Sequence, residues 1–301
     1  MEHRKQLKAK VIQLVYIPFT GVGIRGYSGD DWYKYRIEIF KNYTLKSLAN
    51  QTDNNFILWL SFRPQEKDNP LTAVIADYIK EHGLSYIFTF DGLMYHDDKF
   101  NKGFMDRLWN TARIFRKCWR DKDWSGVHKS VLDVLYNDKN DTLETRLGYS
   151  LAELEPYFTE ADWVYMTRLD SDDMFHKEAF SFIHEIAPLR KGAIVASRKG
   201  LFYNMNLDQL AEYLPKTNPP FHTIMFPKEE FFNARDHMEY MKGFRSHEDI
   251  PKLFSTMQLP DFYYCVFTDT SKHRISTTWN HAFKGKIIGT SYNLKEGFGI
   301  L

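Results

Sequence analysis

Apolar runs of strand length recur in the first third of the chain, at residues 10–19, 56–62 and 84–90. Such continuous runs are typical of strands that are buried on both faces of a sheet. Between them, residues 32–50 and 69–83 carry apolar side chains at helical spacing, and Pro70 suits the start of the second helix. The order β-α-β-α-β predicts a parallel sheet with crossover helices.

The rest of the chain continues this alternation. Apolar runs at residues 162–169, 192–197 and 222–226 predict further strands, and residues 200–205 are expected to pair beside the run at 192–197. Residues 151–160 are expected to form the helix that leads into the strand at 162–169. We therefore predict an α/β fold in which helices flank a mostly parallel central sheet, with a smaller region beside it.

Residues 105–119 predict an amphipathic helix. The side expected to face inward consists of Met105, Leu108, Trp109, Ala112, Phe115 and Trp119. The other side carries the basic residues Arg107, Arg113, Arg116, Lys117 and Arg120. Two interpretations of this basic side stay open: a solvated surface, or a contact for an anionic acceptor or a phosphate.

Three aspartates, Asp170, Asp172 and Asp173, follow the predicted strand at 162–169. Like charges this close raise one another's pKa unless a positive charge lies among them. Arg168 or a hard divalent cation could supply that charge, and Asp-x-Asp at a strand end suits Mg²⁺ or Mn²⁺ bound to substrate phosphates. Capping of the next helix is the structural alternative, but it explains one carboxylate rather than three.

The carboxyl ends of parallel strands share one edge of a sheet, where folds of this kind bind ligands. The glycine-rich loop after the first strand, with Gly21 and Arg25, is expected at this edge, as are Arg63 and Asp91 after the next two strands. Gly21 would let a ligand approach the backbone, although a flexible turn explains the loop equally well. The loop lacks the Lys-Ser/Thr of a Walker loop.

Two polar groups in the last third are candidates for the same site. Glu248 and Asp249 lie at a predicted helix start, where either could act as a general base or could cap the helix. His273 could bind a metal or a diphosphate, with His281 as the competing ligand. A hydrogen-bonded loop histidine is the alternative interpretation of His273.

Composition limits the possible binding partners and the cellular compartment. The 301 residues carry 40 basic and 39 acidic side chains, and a net charge of +1 argues against a polyanion-binding chain. The two cysteines, Cys118 and Cys265, argue against a disulfide framework and fit a reducing cytosol. Because no apolar run has the length of a membrane span and no signal peptide is recognisable, we expect a cytoplasmic protein.

Two motifs carry a resemblance to a known family. Residues 43–56 (YTLKSLANQTDNNF) and the following Trp59-Leu60 resemble the opening of GT-A glycosyltransferases, most of all the rhamnosyltransferase family with its pattern SL..QT..NF and WL. Residues 168–173 (RLDSDD) match that family's strand end RLD.DD, and His273 with Ser276-Thr277 resembles its later histidine and hydroxyl pair. The likeness spans residues 11–288.

This resemblance implies one GT-A-like domain over residues 1–301, with a nucleotide-sugar-binding half at about 10–175 and an acceptor-side half at about 176–301. It implies a nucleoside-diphosphate sugar donor and a Mn²⁺ or Mg²⁺ ion. One departure concerns the second strand, which ends in Leu60-Ser61-Phe62-Arg63 where many members have an aspartate for the nucleobase.

The resemblance also implies roles for single residues. Asp170 and Asp172 would flank the metal and the ribose, and Asp173 would support them. Arg168 would orient the cluster or neutralise phosphate charge. Asp91 would contact the nucleobase or the ribose, and Asp249 would be the base of an inverting enzyme.

The first functional hypothesis is therefore a metal-dependent glycosyltransferase of the hexosyltransferase type that transfers a sugar, rhamnose by family resemblance, to an acceptor hydroxyl with inversion. A glycan or lipid-linked glycan is the expected acceptor, and a modified nucleic-acid base is the second candidate. The alternative from another class is a non-catalytic nucleotide-sugar or glycan-binding protein on the same fold. A nucleotidyltransferase would need a lysine-bearing triphosphate loop, which the first strand lacks.

Overall fold

The computed structural model describes residues 9–20, 30–93, 104–122, 124, 127–128, 131, 142–244, 246–268 and 284–300. Four residues that the sequence proposes for the site, Gly21, Arg25, His273 and His281, lie outside these ranges. Their predicted roles stay predictions.

Twelve strands occur in the described residues and form two sheets. They are β1 (Val11–Pro18), β2 (Phe56–Ser61), β3 (Tyr86–Thr89), β4 (Trp163–Arg168), β5 (Met174–Phe175), β6 (Gly192–Val195), β7 (Gly200–Asn204), β8 (Gln209–Tyr213), β9 (His222–Pro227), β10 (Ser255–Gln258), β11 (Tyr264–Thr268) and β12 (Lys284–Gly289). The α-helices are α1 (Asp30–Ile39), α2 (Leu45–Ala49), α3 (Pro70–Glu81), α4 (Phe104–Asp121), α5 (Leu143–Leu154), α6 (Ala179–Glu185), α7 (Lys228–Phe232), α8 (Ala234–Tyr240), α9 (Ile250–Leu253) and α10 (Lys295–Phe298).

The central sheet has seven strands in the order β10-β6-β9-β4-β1-β2-β3. β1 pairs in parallel with β2 and β4, β2 with β3, and β6 with β10. β9 lies antiparallel between β4 and β6. The other six strands therefore end at one edge, and the predicted mostly parallel α/β sheet is confirmed.

Apolar clusters cover both faces of the central sheet. Val15 and Ile17 of β1 pack in one cluster, whereas Leu14 and Tyr16 pack in the other. Successive side chains of a strand point to opposite faces, so a sheet that is covered twice favours apolar residues at nearly every position. This preference explains the nearly continuous apolar runs; the buried Gln13 within β1 donates to Oγ1 of Thr167 at 2.9 Å.

The second sheet has the strand order β12-β8-β7-β11-β5. The expectation that residues 200–205 pair beside the run at 192–197 is wrong, because β7 pairs with β8 and β11 instead. Gly200 allows this packing: a Cβ there would lie 2.2 Å from Cζ of the Tyr264 ring. An apolar run has the same pattern in either sheet, so the sequence could not assign its partner.

Helix ends follow local signals where those signals are strong. The Asn69 side chain accepts a hydrogen bond from the Leu71 N–H (3.0 Å) ahead of α3, and Gly83 after it has φ 68°. The prediction of a helix over residues 151–160 is wrong in its bounds, because α5 begins at Leu143. Thr142 caps it by accepting from the Thr145 N–H at 3.1 Å.

The inward face that the sequence predicts for residues 105–119 is wrong. Leu108, Trp109, Phe115 and Trp119 are exposed, and the buried side consists of Ile114 and Cys118. That buried side packs in a small cluster with Val127 and Val131. No helix among the described residues has the length and apolarity needed to cross a membrane.

His237 of α8 is buried between apolar rings. Its Nδ1 donates to the Phe231 carbonyl oxygen at 2.8 Å, and its ring centroid lies 4.5 Å from that of Phe226. Burial disfavours the imidazolium form and lowers the pKa of His237 to about 4, against the pull of its hydrogen bond to Phe231.

This pKa predicts an acid-sensitive fold. The unfolded chain takes up the proton near pH 6.5 and the folded chain only near pH 4, so stability falls as the pH drops through that interval. Between pH 7 and pH 5 the wild type should lose about 2 kcal/mol of unfolding free energy through this group. Urea titrations should show that His237→Gln, which keeps an N–H donor but cannot titrate, lacks this loss. Exposed His82→Gln is the control and should behave as wild type; an unchanged pH dependence in His237→Gln would contradict the assignment.

Candidate functional site

The three aspartates lie where the chain crosses from the central sheet to the second sheet. β4 ends at Arg168, and the Leu169 N–H donates to the Tyr16 carbonyl oxygen of β1 at 3.0 Å. Met174 then pairs with Cys265 in the second sheet. The cluster is thus fixed at the carboxyl edge of the central sheet, as the sequence predicts.

Asp172 is held by an arginine from α1. Nη1 and Nη2 of Arg36 donate to the two carboxylate oxygens of Asp172 at 2.8 and 3.0 Å, and Nε donates to Oγ of Ser171 at 2.8 Å. Burial raises the pKa of Asp172 and the Arg36 charge opposes that rise. The two-bond geometry fixes the direction of the carboxylate as well as its charge.

Asp173 ties the cluster to the second sheet. Its Oδ1 accepts a hydrogen bond from the Phe267 N–H of β11 at 3.1 Å, and its side chain is buried. Burial, followed by the charges of Asp172 and Asp170, raises the pKa of Asp173 well above its usual range. The helix-capping alternative for Asp172 and Asp173 fails, because the N-cap position of α6 belongs to Glu178.

Asp170 is the aspartate of the cluster that is partly open to solvent. Its side chain is 33% exposed, and its Oδ1 accepts from Nη2 of Arg168 at 3.1 Å. Burial works to lower the pKa of Arg168, but the nearby charge of Asp170 outweighs it and raises that pKa. Asp170 is therefore held by Arg168 while its side chain stays partly exposed.

The chain after β3 is anchored at the same edge. Oγ of Ser150 on α5 donates to Asp91 at 2.9 Å. The hydroxyls of Tyr16 and Ser61 donate to the Leu93 carbonyl oxygen at 2.6 and 3.2 Å. These bonds join the ends of β1, β2 and β3 and fix Asp91 in place.

Arg63 follows β2 at the carboxyl edge, as expected, but its side chain is buried. Its guanidinium pairs with Glu66, and its backbone N–H donates to Oγ1 of Thr20 at 3.0 Å. Because its side chain lies inside the fold, Arg63 supports the turn after β2 and does not present charge to a ligand.

Glu248 and Asp249 begin a short helix that continues into α9. Oδ2 of Asp249 accepts from the Ser246 N–H at 3.1 Å, and Oγ of Ser246 accepts from the Glu248 N–H at 3.3 Å. Nζ of Lys252 lies 3.1 Å from Oδ1 of Asp249. These bonds form a helix cap, so the capping interpretation is confirmed for Asp249. The Glu248 side chain is exposed. The role of a general base stays a prediction for both residues.

Phe244, shortly before this helix start, contacts a residue at the carboxyl edge of the sheet. His222 pairs with Arg168 across β9 and β4, so it lies at the carboxyl edge of the sheet. The Phe244 ring lies 6.0 Å from the His222 ring, and Ser246 follows two residues later. This contact places Phe244, four residues before Glu248, beside the carboxyl edge of the sheet.

The described residues provide a partial fit to a divalent metal. No group of three His, Cys, Asp or Glu side chains within them is arranged to hold a metal. Mg²⁺ is commonly held by one or two carboxylates together with substrate phosphates and water. Asp170 could be such a carboxylate, since its side chain is partly exposed. Asp172 would first have to give up its two hydrogen bonds from Arg36. His273 lies outside the described residues.

Arg36 is the site residue that the sequence did not reveal. It lies on α1 between apolar positions that pack inward, where an arginine has the pattern of a surface residue. Its partner is 136 positions away along the chain. A local signal for this contact does not exist, since only the fold brings α1 to the end of β4.

A protein-family model described as "Putative rhamnosyl transferase" matches residues 26–83. The match covers well under half of the 301 residues and stops before the aspartate cluster. It includes the motif at 43–56, so the resemblance stated for that stretch is confirmed. With the mixed α/β architecture, it supports a GT-A-like glycosyltransferase.

Among curated proteins none matches the sequence significantly. Solved structures give distant likenesses. S. aureus TarS 1-349 is 14% identical with a TM-score of 0.36, over 86% of this chain and 60% of that one. A "putative nucleotide-diphospho-sugar transferase" from Desulfovibrio desulfuricans is 9% identical with a TM-score of 0.33, over 84% of this chain and 81% of that one. A longer S. aureus TarS chain, of which this chain covers 37%, has a TM-score of 0.34 at 12% identity. Scores this low carry no argument about this chain.

The Arg36–Asp172 contact predicts a stability effect. Removing one partner of a buried ion pair leaves the other charge uncompensated, so Arg36→Met should lower the unfolding free energy by about 3 kcal/mol. Arg36→Met with Asp172→Asn should recover part of the loss, because no buried carboxylate then remains unpaired. Arg190→Met is the matched control: its pair with Glu230 is at the surface and should matter far less. Urea denaturation measures all four proteins, and equal effects of Arg36→Met and Arg190→Met would contradict the contact.

Proposed function

We propose that the protein is a glycosyltransferase that moves a sugar from a nucleoside-diphosphate donor to an acceptor hydroxyl. The observation that carries the proposal is the division of roles within the cluster. Asp172 and Asp173 are bound by Arg36 and by the β11 backbone, while the Asp170 side chain is one third exposed at the ligand-binding edge of a parallel sheet. Because Arg168 holds the partly exposed Asp170 carboxylate in place, Asp170 is suited to meet a ligand without rearrangement.

Two carboxylates at this edge suit the two ends of a nucleotide. Asp91 follows β3 and Asp170 follows β4, and the strand order β4-β1-β2-β3 separates them by three strand spacings, or about 14 Å. An extended nucleoside diphosphate spans a distance of that order. In this arrangement Asp91 binds the nucleobase or the ribose, and Asp170 lies at the diphosphate, with Arg168 beside it to offset phosphate charge.

The donor diphosphate requires a positive partner at Asp170. We propose Mn²⁺ or Mg²⁺, held by Asp170 together with the substrate, with Asp172, Asp173 and His273 as the further candidates from the sequence. When bound, such an ion stabilises the negative charge that develops on the departing diphosphate. Arg36 and Arg168 hold the carboxylates of Asp172 and Asp170 in fixed orientations beside that contact.

The acceptor hydroxyl requires a base on the other side of the reacting carbon. We propose Asp249 for this role, with Glu248 as the alternative. As the acceptor oxygen bonds to the anomeric carbon and the bond to the diphosphate breaks, this carboxylate takes the hydroxyl proton. In-line attack opposite the leaving group gives inversion. Asp249 is held by the Ser246 N–H and by Lys252, so it is positioned without being fully buried.

The family description makes rhamnose the first sugar to test, and a glycan or lipid-linked glycan the first acceptor. A cytoplasmic location would agree with the supply of nucleotide sugars there. A non-catalytic binding protein on the same fold would hold the donor without breaking the sugar–phosphate bond, so turnover distinguishes the two functions.

Turnover of a donor panel tests the proposal. Wild-type protein with Mn²⁺ should release nucleoside diphosphate from at least one nucleotide sugar, by transfer or slow hydrolysis. Asp249→Asn should lower that rate by about a hundredfold or more, in the range of a lost general base, while keeping donor affinity, since asparagine preserves the capping acceptor. Asp170→Asn should weaken donor binding itself.

Matched controls separate these roles from folding. Glu248→Gln tests the alternative base, and Asp236→Asn, on the exposed side of α8, should act as wild type. Full turnover in Asp249→Asn with a strong loss in Glu248→Gln would move the role of base to Glu248. Donor binding without any turnover by the wild type would favour the non-catalytic protein.

A further inference from the structure

Four of the large apolar side chains described on α4 are exposed. Trp109 is 67% and Trp119 79% exposed, and Leu108 and Phe115 are exposed as well. Trp124, just after the helix, is also exposed. Monomeric proteins rarely leave large apolar side chains together in water unless the surface binds something.

These residues form one continuous surface. At about 100° per residue around a helix axis, the exposed side divides into two adjoining strips opposite the buried Ile114 and Cys118. The first strip is apolar and consists of Phe115, Leu108, Trp119 and Ala112. The second is basic and consists of Arg116, Arg120 and Arg113 with Trp109 among them. Together we name them the α4 surface.

Positive charge is concentrated on this helix. Residues 104–121 contain five basic and two acidic side chains, which gives 5 − 2 = +3, against +1 for the whole chain. The remaining residues therefore sum to 1 − 3 = −2. A partner for this surface has to offer negative charge next to apolar material.

We propose that the α4 surface docks on an anionic lipid bilayer. An interfacial helix of this kind lies in the plane of the membrane, with Trp, Phe and Leu in the boundary between head groups and acyl chains and Arg at the lipid phosphates. Tryptophan suits this boundary because its ring is apolar and its N–H is polar. The inference does not depend on the proposed transferase activity.

Other occupants fit the surface less well. A nucleic acid would satisfy the arginines but would leave Leu108, Phe115 and Trp119 in contact with a polar backbone. A second copy of this chain would bring two +3 helices together at an isologous contact. Both are outcomes that the experiment separates from lipid binding.

Vesicle co-sedimentation tests the proposal with the full chain. Wild-type protein should bind vesicles of phosphatidylcholine with phosphatidylglycerol at least about tenfold more tightly than vesicles of phosphatidylcholine alone, and salt should weaken the binding. Trp109→Ser with Trp119→Ser should lower affinity for the anionic vesicles by about tenfold or more. Arg113→Gln with Arg116→Gln should lower it to a similar extent and flatten the salt dependence.

The control pair is Tyr149→Ser with Tyr292→Ser, which removes two aromatic rings that are 63% and 78% exposed elsewhere and should not change binding. The single variant Trp119→Ser, at the most exposed ring of α4, should show a smaller loss in the same direction. Thermal melts establish that each variant is folded.

Four results would overturn the proposal. One is no binding of the wild type to anionic vesicles. A second is equal binding by the tryptophan variant. Another is salt-sensitive binding to a DNA duplex that is tighter than binding to the vesicles and unaffected by the tryptophan changes. The last is a wild-type dimer by light scattering that Trp109→Ser with Trp119→Ser converts to a monomer.

Discussion

The structure depends on positive and N–H groups that offset the negative charge of Asp170, Asp172 and Asp173. These aspartates lie where the chain leaves the central sheet and enters the second sheet. Burial and mutual repulsion raise the pKa of Asp172 and Asp173, so the cluster costs stability unless positive and N–H groups face it. Arg36 from α1, Arg168 from β4 and the Phe267 N–H from β11 supply those groups. Satisfying the cluster therefore requires the first helix and both sheets to be in place together.

This compensation gives the three aspartates different tasks. Asp172 and Asp173 connect elements of the fold, and Asp170 lies at the edge beside Arg168 with its side chain partly exposed. The same edge carries Asp91, held by Ser150, and the Phe244 ring lies beside it against His222. A ligand that spans this edge would meet Asp91 and Asp170 together.

Sequence patterns predicted those parts of the fold that depend on local signals. The buried strands β1 to β4, the start of α3 at Pro70 and the position of the aspartates followed from apolar runs and helix-end residues. Three features could not be predicted, because each depends on which distant surface is present to pack against. They are the partner of Arg36, the sheet to which β7 belongs and the exposed face of α4. For Asp249 the sequence left a cap and a base open, and the hydrogen bonds show the cap without deciding the chemistry.

The most direct test of the central claim, that the Asp170 edge binds a nucleotide sugar, is thermal unfolding with UDP-glucose, UDP-N-acetylglucosamine, GDP-mannose and dTDP-rhamnose, with and without Mn²⁺. Ligand at a hundred times its Kd stabilises the folded state by about 2.7 kcal/mol. The account predicts that at least one donor raises the Tm by about 4 °C with Mn²⁺, and that Asp170→Asn removes the shift. No shift with any donor, or an equal shift in Asp170→Asn, would contradict it.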